Sequence, residues 1–373
     1  MGSVRRAPRT GRWEARYRDP SGRQRTRTFH NKSSARAFLA TVEVDMRRGE
    51  WRDPRLARIT FESWVEEYLA SAVHKRATTM ARDRVVLRKH FLPALGRLPL
   101  SAITPLHVAR LVEAMSSDLA PKTVRTNVGV LRAVMSAAVD AGLLPLNPCR
   151  RIRLPAENCS APRFLSVGEL QRLAEAMPIE YRAMVYVGGV LGLRWSEVAG
   201  LRLGRIDFER RTLQVVETVA EVEGRLSVED VKTRASRATL PVPPRVAEVL
   251  VSHVARSGRS SPEDLVFQSP DGGPVRAANF RLRVWRPAVE AAGLVGLTFH
   301  GLRHSAAGLM IELGAHAKVI QERLRHASIR TTLDVYGSVL PGVDDALTQS
   351  LDDLLAPECG ADVVQPEEHE PPG

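Results

Sequence analysis

The sequence predicts an α+β, mostly helical chain: a small three-stranded N-terminal sheet with one helix, a four-helix domain, and a larger mixed domain with a small antiparallel sheet. Three observations carry that expectation. Residues 12–18 alternate apolar and charged side chains with the period of a half-buried strand. Between Thr60 and Gly142 the apolar residues recur at helical spacing. Beyond residue 163, β-branched runs are bracketed by helical stretches. Polar and proline-rich segments at 50–58 and 147–163 read as linkers. The expected boundaries are 1–55, 59–150 and 162–356, followed by an acidic tail, 357–373, too polar to pack.

In order, Trp13, Ala15 and Tyr17 face one way and Arg12, Glu14, Arg16 and Arg18 the other. Asp19-Pro20-Ser21-Gly22 supplies a turn, and Arg23, Arg25 and Arg27 then line one face of a returning strand. Ala35, Phe38, Leu39, Val42 and Met46 form a helical stripe ending near Gly49. Phe61, Trp64, Val65, Tyr68 and Leu69 open the helical domain, and its second helix spans about 78–91. A third helix follows Thr104-Pro105, and Pro121 opens the fourth. There Val124, Val128, Leu131, Met135 and Ala138 face inward, while Lys122, Arg125 and Arg132 lie off the stripe. Ser166 and Glu169 have capping-box spacing, and an apolar helix over 181–191 should be buried. Strands are expected at 205–208, 212–219, 224–228 and 238–243, with a turn over 229–237. Helices resume at about 244–257 and 279–292, and a last amphipathic helix is expected near 343–355.

Net charge is +12, unevenly spread. Residues 1–55 hold 15 Lys and Arg against 6 acids, and 59–155 hold 14 against 7, whereas 162–356 hold 24 against 23. Positive charge concentrated ahead of a neutral domain points to two modules gripping a polyanion, with DNA the expected partner. The Arg-bearing strands would enter a groove, giving Arg12, Arg16, Arg23, Arg25 and Arg27 as candidate contacts. Lys122, Arg125 and Arg132 would meet backbone phosphates. No apolar run approaches the about 18 residues of a membrane helix, and the start lacks an apolar signal core, so a cytoplasmic chain is expected. Cys149, Cys159 and Cys359 have neither zinc spacing nor disulfide density.

The stretch 298–336 concentrates the chemistry. His300 and Arg303 lie one helical turn apart and can reach one small anion together. His326 and Tyr336 follow, with Leu302, Leu309, Met310 and Leu313, then Val319, Ile320 and Leu324, marking two packed helices. Gly314 suits the end of the first.

Four segments in order, GLRWSEV (192–198), VKTRASR (231–237), HGLRHS (300–305) and LRHASIRTTLDVY (324–336), resemble the catalytic domain of tyrosine recombinases, the phage-integrase class. The resemblance extends to the preceding domains, which look like the core-site and arm-site DNA-binding domains of integrases. It implies that Tyr336 attacks the scissile phosphodiester and is joined to the 3′ phosphate. Arg194 and Arg303 would clamp the non-bridging oxygens, His300 and His326 would hydrogen-bond phosphate and nucleophile, and Lys232 would protonate the leaving 5′ oxygen. Glu197 would orient Arg194. Side-chain chemistry agrees. Ionising a phenol at pH 7 costs about 4 kcal/mol, so the nucleophile needs preorganised cations and an acceptor. Arginine clamps phosphate bidentately and stays charged. The chain has 48 Arg and 6 Lys, so a Lys at 232, able to give up a proton where Arg is not, stands out. Arg325 departs from the family's usual glycine. It is expected to alter the turn's backbone without touching a catalytic role.

The function implied is a site-specific recombinase, the integrase of a phage or integrative element, needing neither metal nor cofactor. It would act on double-stranded DNA at attachment-type sites as a homotetramer on two duplexes, with accessory bending or directionality proteins possible. The helix near 343–355 would dock on a neighbouring protomer. The alternatives are a transposon-type tyrosine recombinase, a cleavage-deficient repressor or architectural protein, and a metal-dependent carboxylate recombinase.

Overall fold

A computed structural model describes residues 2–8, 10–48, 51, 59–73, 75–157, 163–230, 237–339, 348 and 351–352, with the backbone alone at 230 and 335–339. Two compact units result, Met1–Cys159 and Ser160–Gly373.

Within the first unit, β1 (Ser3–Arg6), β2 (Trp13–Arg18) and β3 (Gln24–Phe29) pair antiparallel in that order. The Asn31 side chain caps α1 (Lys32–Arg47) by accepting from the Ser34 N–H. Ala15 and Tyr17 then pack with Ala35, Leu39 and Val42, the alternation and the stripe meeting as expected.

A separate core joins α2 (Phe61–Ser71), α3 (Ala77–Val86), α4 (Leu92–Leu95), α5 (Pro105–Asp118) and α6 (Pro121–Asp140). On α6, Val124, Val128, Leu131, Met135 and Ala138 are all buried. Trp64 reaches across from α2 and donates its indole N–H to the Val134 carbonyl at 3.0 Å. The expected second helix is not one regular element: between α3 and α4 the chain makes a π turn at Leu87–Phe91. Pro93 explains it. A proline cannot donate to the carbonyl four residues back and its ring collides there, so the ladder reroutes by one residue. The same device recurs in the second unit, where a π turn at Arg281–Trp285 precedes Pro287 between α11 (Ala277–Phe280) and α12 (Arg286–Ala291).

The second unit opens with the Ser166–Glu169 capping box, both hydrogen bonds formed, at the head of α7 (Val167–Ala176). The apolar helix α8 (Arg182–Gly189) is buried as expected, and α9 (Trp195–Ala199) follows it closely. The expected strand over 212–219 divides. β5 (Thr212–Val215) lies between β4 (Ile206–Asp207) and β8 (Ala238–Pro241), whereas β6 (Glu217–Val222) forms a separate hairpin with β7 (Arg225–Asp230). Leu213 and Val215 enter the core, but Glu217 takes ion pairs from Arg202 at 2.9 Å and Arg205 at 2.7 Å. Charge pairing replaces apolar burial at that point, and the chain changes sheets.

Helices α10 (Pro244–Ser257), α13 (Phe299–Glu312), α14 (Ala317–Leu324) and α15 (Ile329–Val339) complete the described elements. Leu313, expected on the apolar stripe of α13, instead caps it and is 85% exposed. The expected helix near 343–355 lies outside the described residues except at 348, 351 and 352. The tail and the turn residues 231–236 also lie outside them. Among the described residues, no helix is long and apolar enough to cross a membrane.

The Trp64 bond makes a test of the helical core. Trp64→Phe keeps a ring but removes this hydrogen bond, leaving the Val134 carbonyl its helical partner alone. The loss should cost about 0.5–1.5 kcal/mol, read as a lower urea midpoint at unchanged m-value.

Candidate active site

Two guanidinium groups are held by successive carbonyls of one turn. At the end of α14, Arg325 adopts the left-handed conformation with φ +55°, closing the helix as a C-cap. The Leu324 carbonyl accepts from Arg303 Nη2, and the Arg325 carbonyl accepts from Arg194 Nη2 at 3.2 Å. Helix-terminal carbonyls lack intrahelical donors and carry the negative end of the helix dipole, so cations are stabilised there. Arg303 also donates through Nη1 to the Gly192 carbonyl at 2.5 Å. Gly192 has φ +71°, and a Cβ there would lie 2.2 Å from the Leu324 side chain. The tight turn after α8 therefore needs glycine both for its dihedral and for its approach to α14.

Glu197 completes the frame. Its Oε1 accepts from Arg194 Nη1 at 2.7 Å and its Oε2 from the Arg194 peptide N–H at 2.8 Å. It thus caps α9 and orients the side chain that precedes it. The carboxylate is buried, which would raise its pKa. Arg325 first, then the Arg194 peptide and guanidinium, hold it below the usual range.

His300 stands in the first turn of α13, capped by Thr298, and its ring meets His304 edge-on at 5.0 Å. Burial, then His304, Arg303 and Arg194, lower its pKa below 6.5. His326 follows the Arg325 turn, with Nδ1 2.9 Å from the hydroxyl of buried Thr332. Burial, followed by Arg303 and Arg194, brings it down to about 4. Burial together with Arg194 and Arg325 lowers Arg303 to about 9, still a cation at pH 7. At neutral pH the pocket thus holds three guanidiniums, one carboxylate and uncharged imidazoles, a surplus suited to a bound anion.

The expected set Arg194, Glu197, His300, Arg303 and His326 is thus brought together. Helix α15, whose backbone includes Tyr336, packs on both α13 and α14. The Tyr336 side chain and Lys232 lie outside the described residues. One expectation is overturned. Arg325 does touch the site, because its buried Nη2 lies 2.7 Å from Glu197 Oε2 and its carbonyl holds Arg194. Thr332, on the turn of α15 nearest His326, was also missed. Its only signal in the chain is a hydroxyl six residues beyond a histidine.

The candidate DNA contacts are placed less uniformly. Arg25 and Arg27 lie opposite Tyr17 and Ala15, so they share the helix-covered face of the sheet rather than the open one. Arg25 pairs at 2.8 Å with Asp19, whose carboxyl is held near 2 by the Ser21 hydroxyl and then by Arg25. Arg27 sits 4.9 Å over the Phe38 ring. Of the arginines expected to line one face of the returning strand, Arg25 and Arg27 therefore lie on the packed face, which takes the ion pair and the aromatic contact. Arg16 is on the open face and pairs with Glu14 at 3.2 Å. Arg12, Arg23, Lys122 and Arg132 are exposed, while Arg125, also exposed, donates to the Pro155 carbonyl at 2.9 Å.

Two tests follow. Gly192→Ala should cost on the order of 2–4 kcal/mol from dihedral strain and the clash with Leu324, seen as a lower melting temperature. His326 should make folding acid-sensitive. Below pH 6.5 the unfolded chain takes up a proton that folded His326 refuses until about 4, so stability falls across that window. His326→Asn should reduce this loss by on the order of 2–3 kcal/mol, measured by urea unfolding at pH 7 and pH 4.5.

Residues 163–341 match the phage integrase family, residues 1–48 the phage integrase N-terminal domain, and residues 60–116 the phage integrase N-terminal SAM-like domain. The integrase of Mycobacterium phage D29 is 29% identical over 369 residues, covering 94% of this chain and 96% of its own. A putative prophage phiRv2 integrase of Mycobacterium tuberculosis (strain ATCC 25618 / H37Rv) is 28% identical over 87% of this chain and 88% of its own. Among solved structures, the Tn1549 transposon integrase in complex with transposon right end DNA superposes with a TM-score of 0.66 at 18% identity, covering 80% of this chain and 100% of its own. A lambda integrase dimer bound to a core site gives 0.57 at 18% identity, covering 90% and 93%. The arginine pair, the histidines and the three matched segments place the chain in one group: it belongs to the phage integrase family of tyrosine recombinases.

Proposed function

We propose that the chain is a site-specific DNA recombinase, the integrase of a phage or integrative element, that cuts and rejoins DNA through a 3′-phosphotyrosine. The observation that carries this reading is the pair of guanidiniums anchored on Leu324 and Arg325, with both imidazoles beside them and α15 packed alongside. Arg194 and Arg303 bind the non-bridging oxygens of the scissile phosphate and offset the charge that accumulates as it is attacked. The Tyr336 oxygen forms the new bond to phosphorus as its proton passes to one of the uncharged imidazoles, and the bond to the 5′ oxygen breaks. Lys232 gives that oxygen its proton, leaving a free 5′ hydroxyl. His300 and His326 are uncharged at pH 7, so each offers one ring nitrogen as acceptor and one as donor. The role of His326 Nδ1 towards Thr332 sets the opposite role on Nε2. Attack by the 5′ hydroxyl of a partner strand on the phosphotyrosine reverses the step, so neither metal nor nucleotide is consumed.

Residues 1–55 and 59–150 serve as arm-site and core-site DNA-binding domains ahead of a catalytic domain over 162–356. On the sheet, the open face carrying Arg16 and Arg18 is the DNA-facing one, with Arg12 and Arg23 at its margins. The exposed Lys122, Arg125 and Arg132 of α6 contact phosphates. Strand exchange between two duplexes calls for four protomers. A lambda integrase tetramer bound to a Holliday junction shows a protein of the same fold so assembled, with a TM-score of 0.58 at 18% identity, covering 86% of this chain and 92% of its own.

A nicked suicide duplex bearing the attachment site tests the reading. Wild type should yield a covalent protein–DNA band on a denaturing gel, unaffected by EDTA. Tyr336→Phe should yield none while still shifting the same DNA. Binding without any covalent band in the wild type would identify a repressor or architectural protein instead.

A further inference from the structure

Arg325 is an expensive residue where it stands. A non-glycine side chain at φ +55° is disfavoured, and its guanidinium is buried. Its Nε–H finds no partner among the described residues. Glycine would remove both penalties. What the side chain does in return is specific. Nη2 meets Glu197 Oε2 at 2.7 Å, and Nη1 meets the carbonyl of Arg323 at 3.0 Å. Glu197 is therefore shared between two arginines, one facing the pocket and one behind it. The main chain of the same residue holds Arg194 Nη2 through its carbonyl. Arg194 and Arg325 thus close a ring: Arg194 to Glu197, Glu197 to the Arg325 side chain, and the Arg325 backbone back to Arg194.

That ring has a mechanical consequence. Without Arg325, Glu197 Oε2 keeps only the Arg194 peptide N–H among the described residues. The carboxylate is then free to rotate and draw the Arg194 guanidinium wholly onto itself, away from an incoming phosphate. With Arg325 in place, Oε2 is tied from behind. Of that carboxylate, Oε1 alone then meets the Arg194 side chain, and with one Nη2 hydrogen on the Arg325 carbonyl, Nε and the second hydrogens of Nη1 and Nη2 stay available.

Resting on the recombinase reading above, we propose that Arg325 is a positioning residue for strand cleavage, a buried arginine that locks Glu197 and so presents Arg194 to the scissile phosphate. It contacts no DNA itself. Removing it should slow the chemical step while leaving site binding intact, and should let Glu197 take up a proton at a higher pH.

The test compares wild type, Arg325→Gly, Arg325→Lys, Glu197→Gln and the Arg325→Gly/Glu197→Gln double variant in the full chain. Single-turnover formation of the covalent band is followed from pH 5.5 to 8.5, alongside affinity for the uncut site by fluorescence anisotropy and melting by circular dichroism. Glycine suits the turn's backbone, so Arg325→Gly should melt cooperatively and bind DNA within about twofold of wild type. Its cleavage rate should fall about 10- to 100-fold, with the acid limb of the rate profile moved to higher pH. Lysine keeps the charge but not the fork and should recover part of the rate. The double variant should be no slower than Glu197→Gln alone, because both changes break one ring.

A glycine variant that cleaves at the wild-type rate with an unmoved pH profile overturns the proposal, as does multiplication of the two single losses. If Arg325→Gly does not fold, Arg325→Lys decides: a wild-type rate there overturns it, and a rate reduced at unchanged affinity supports it. Absence of a covalent band from wild type is a different failure. It sinks the recombinase reading, and this inference with it.

Discussion

The site depends on the way one helix ends. When α14 terminates in a left-handed residue, the carbonyls of Leu324 and Arg325 turn outward without intrahelical donors. Each takes a hydrogen from a different arginine, Arg303 and Arg194. Those arginines come from segments more than a hundred residues apart in sequence, so a single turn sets the spacing between two guanidiniums. Rigid placement matters because catalysis here is stabilisation of charge at a fixed point, and a guanidinium that must reorganise loses much of its effect.

Packing around the turn explains why it keeps its place. Leu324 is fully buried and sits against Gly192, where no side chain larger than hydrogen fits. A small satellite core of Ala306, Ala307, Met310, Ile311 and Ile320 holds α14 on α13. On its other side α13 approaches α8 where Gly188 meets Leu302, again with no room for a Cβ. Two glycines and two leucines therefore fix the distance between the helix bearing His300 and Arg303 and the turn bearing Arg194. The electrostatic state follows from that closeness. Burial first, and then the cations crowded beside them, keep the imidazoles uncharged, and a buried carboxylate stays ionised because two arginines face it.

Much of the fold was legible in the chain. The alternation through Trp13, Ala15 and Tyr17 ends half-buried at Trp13 and buried at the other two, and the stripe through Val124, Leu131 and Met135 is buried throughout, because apolar period and secondary-structure period coincide there. Other features were not legible for definite reasons. The π turns ahead of Pro93 and Pro287 need the proline's steric effect to be traced onto an existing ladder. The break at Val216 depends on Glu217 finding Arg202 and Arg205, a contact between elements. That Arg25 and Arg27 fall on the packed face of the sheet is another such feature, because alternation tells which residues share a face but not which face a helix will cover.

By itself the sequence determined the residue types of the pocket and their order, since phosphate chemistry demands planar permanent cations, titratable rings and a phenol, and few substitutes exist. It also determined where helices begin, because caps such as Thr298 and Ser166 act over three or four residues. Only the tertiary structure decided that Glu197 serves two arginines and that Arg325, a residue that reads as a local defect in a turn, reaches 128 positions back to a buried carboxylate. The physical reason is range. Propensity and capping are local and can be read along the chain, whereas an ion pair in the core exists only once burial has removed the water that would otherwise satisfy both partners.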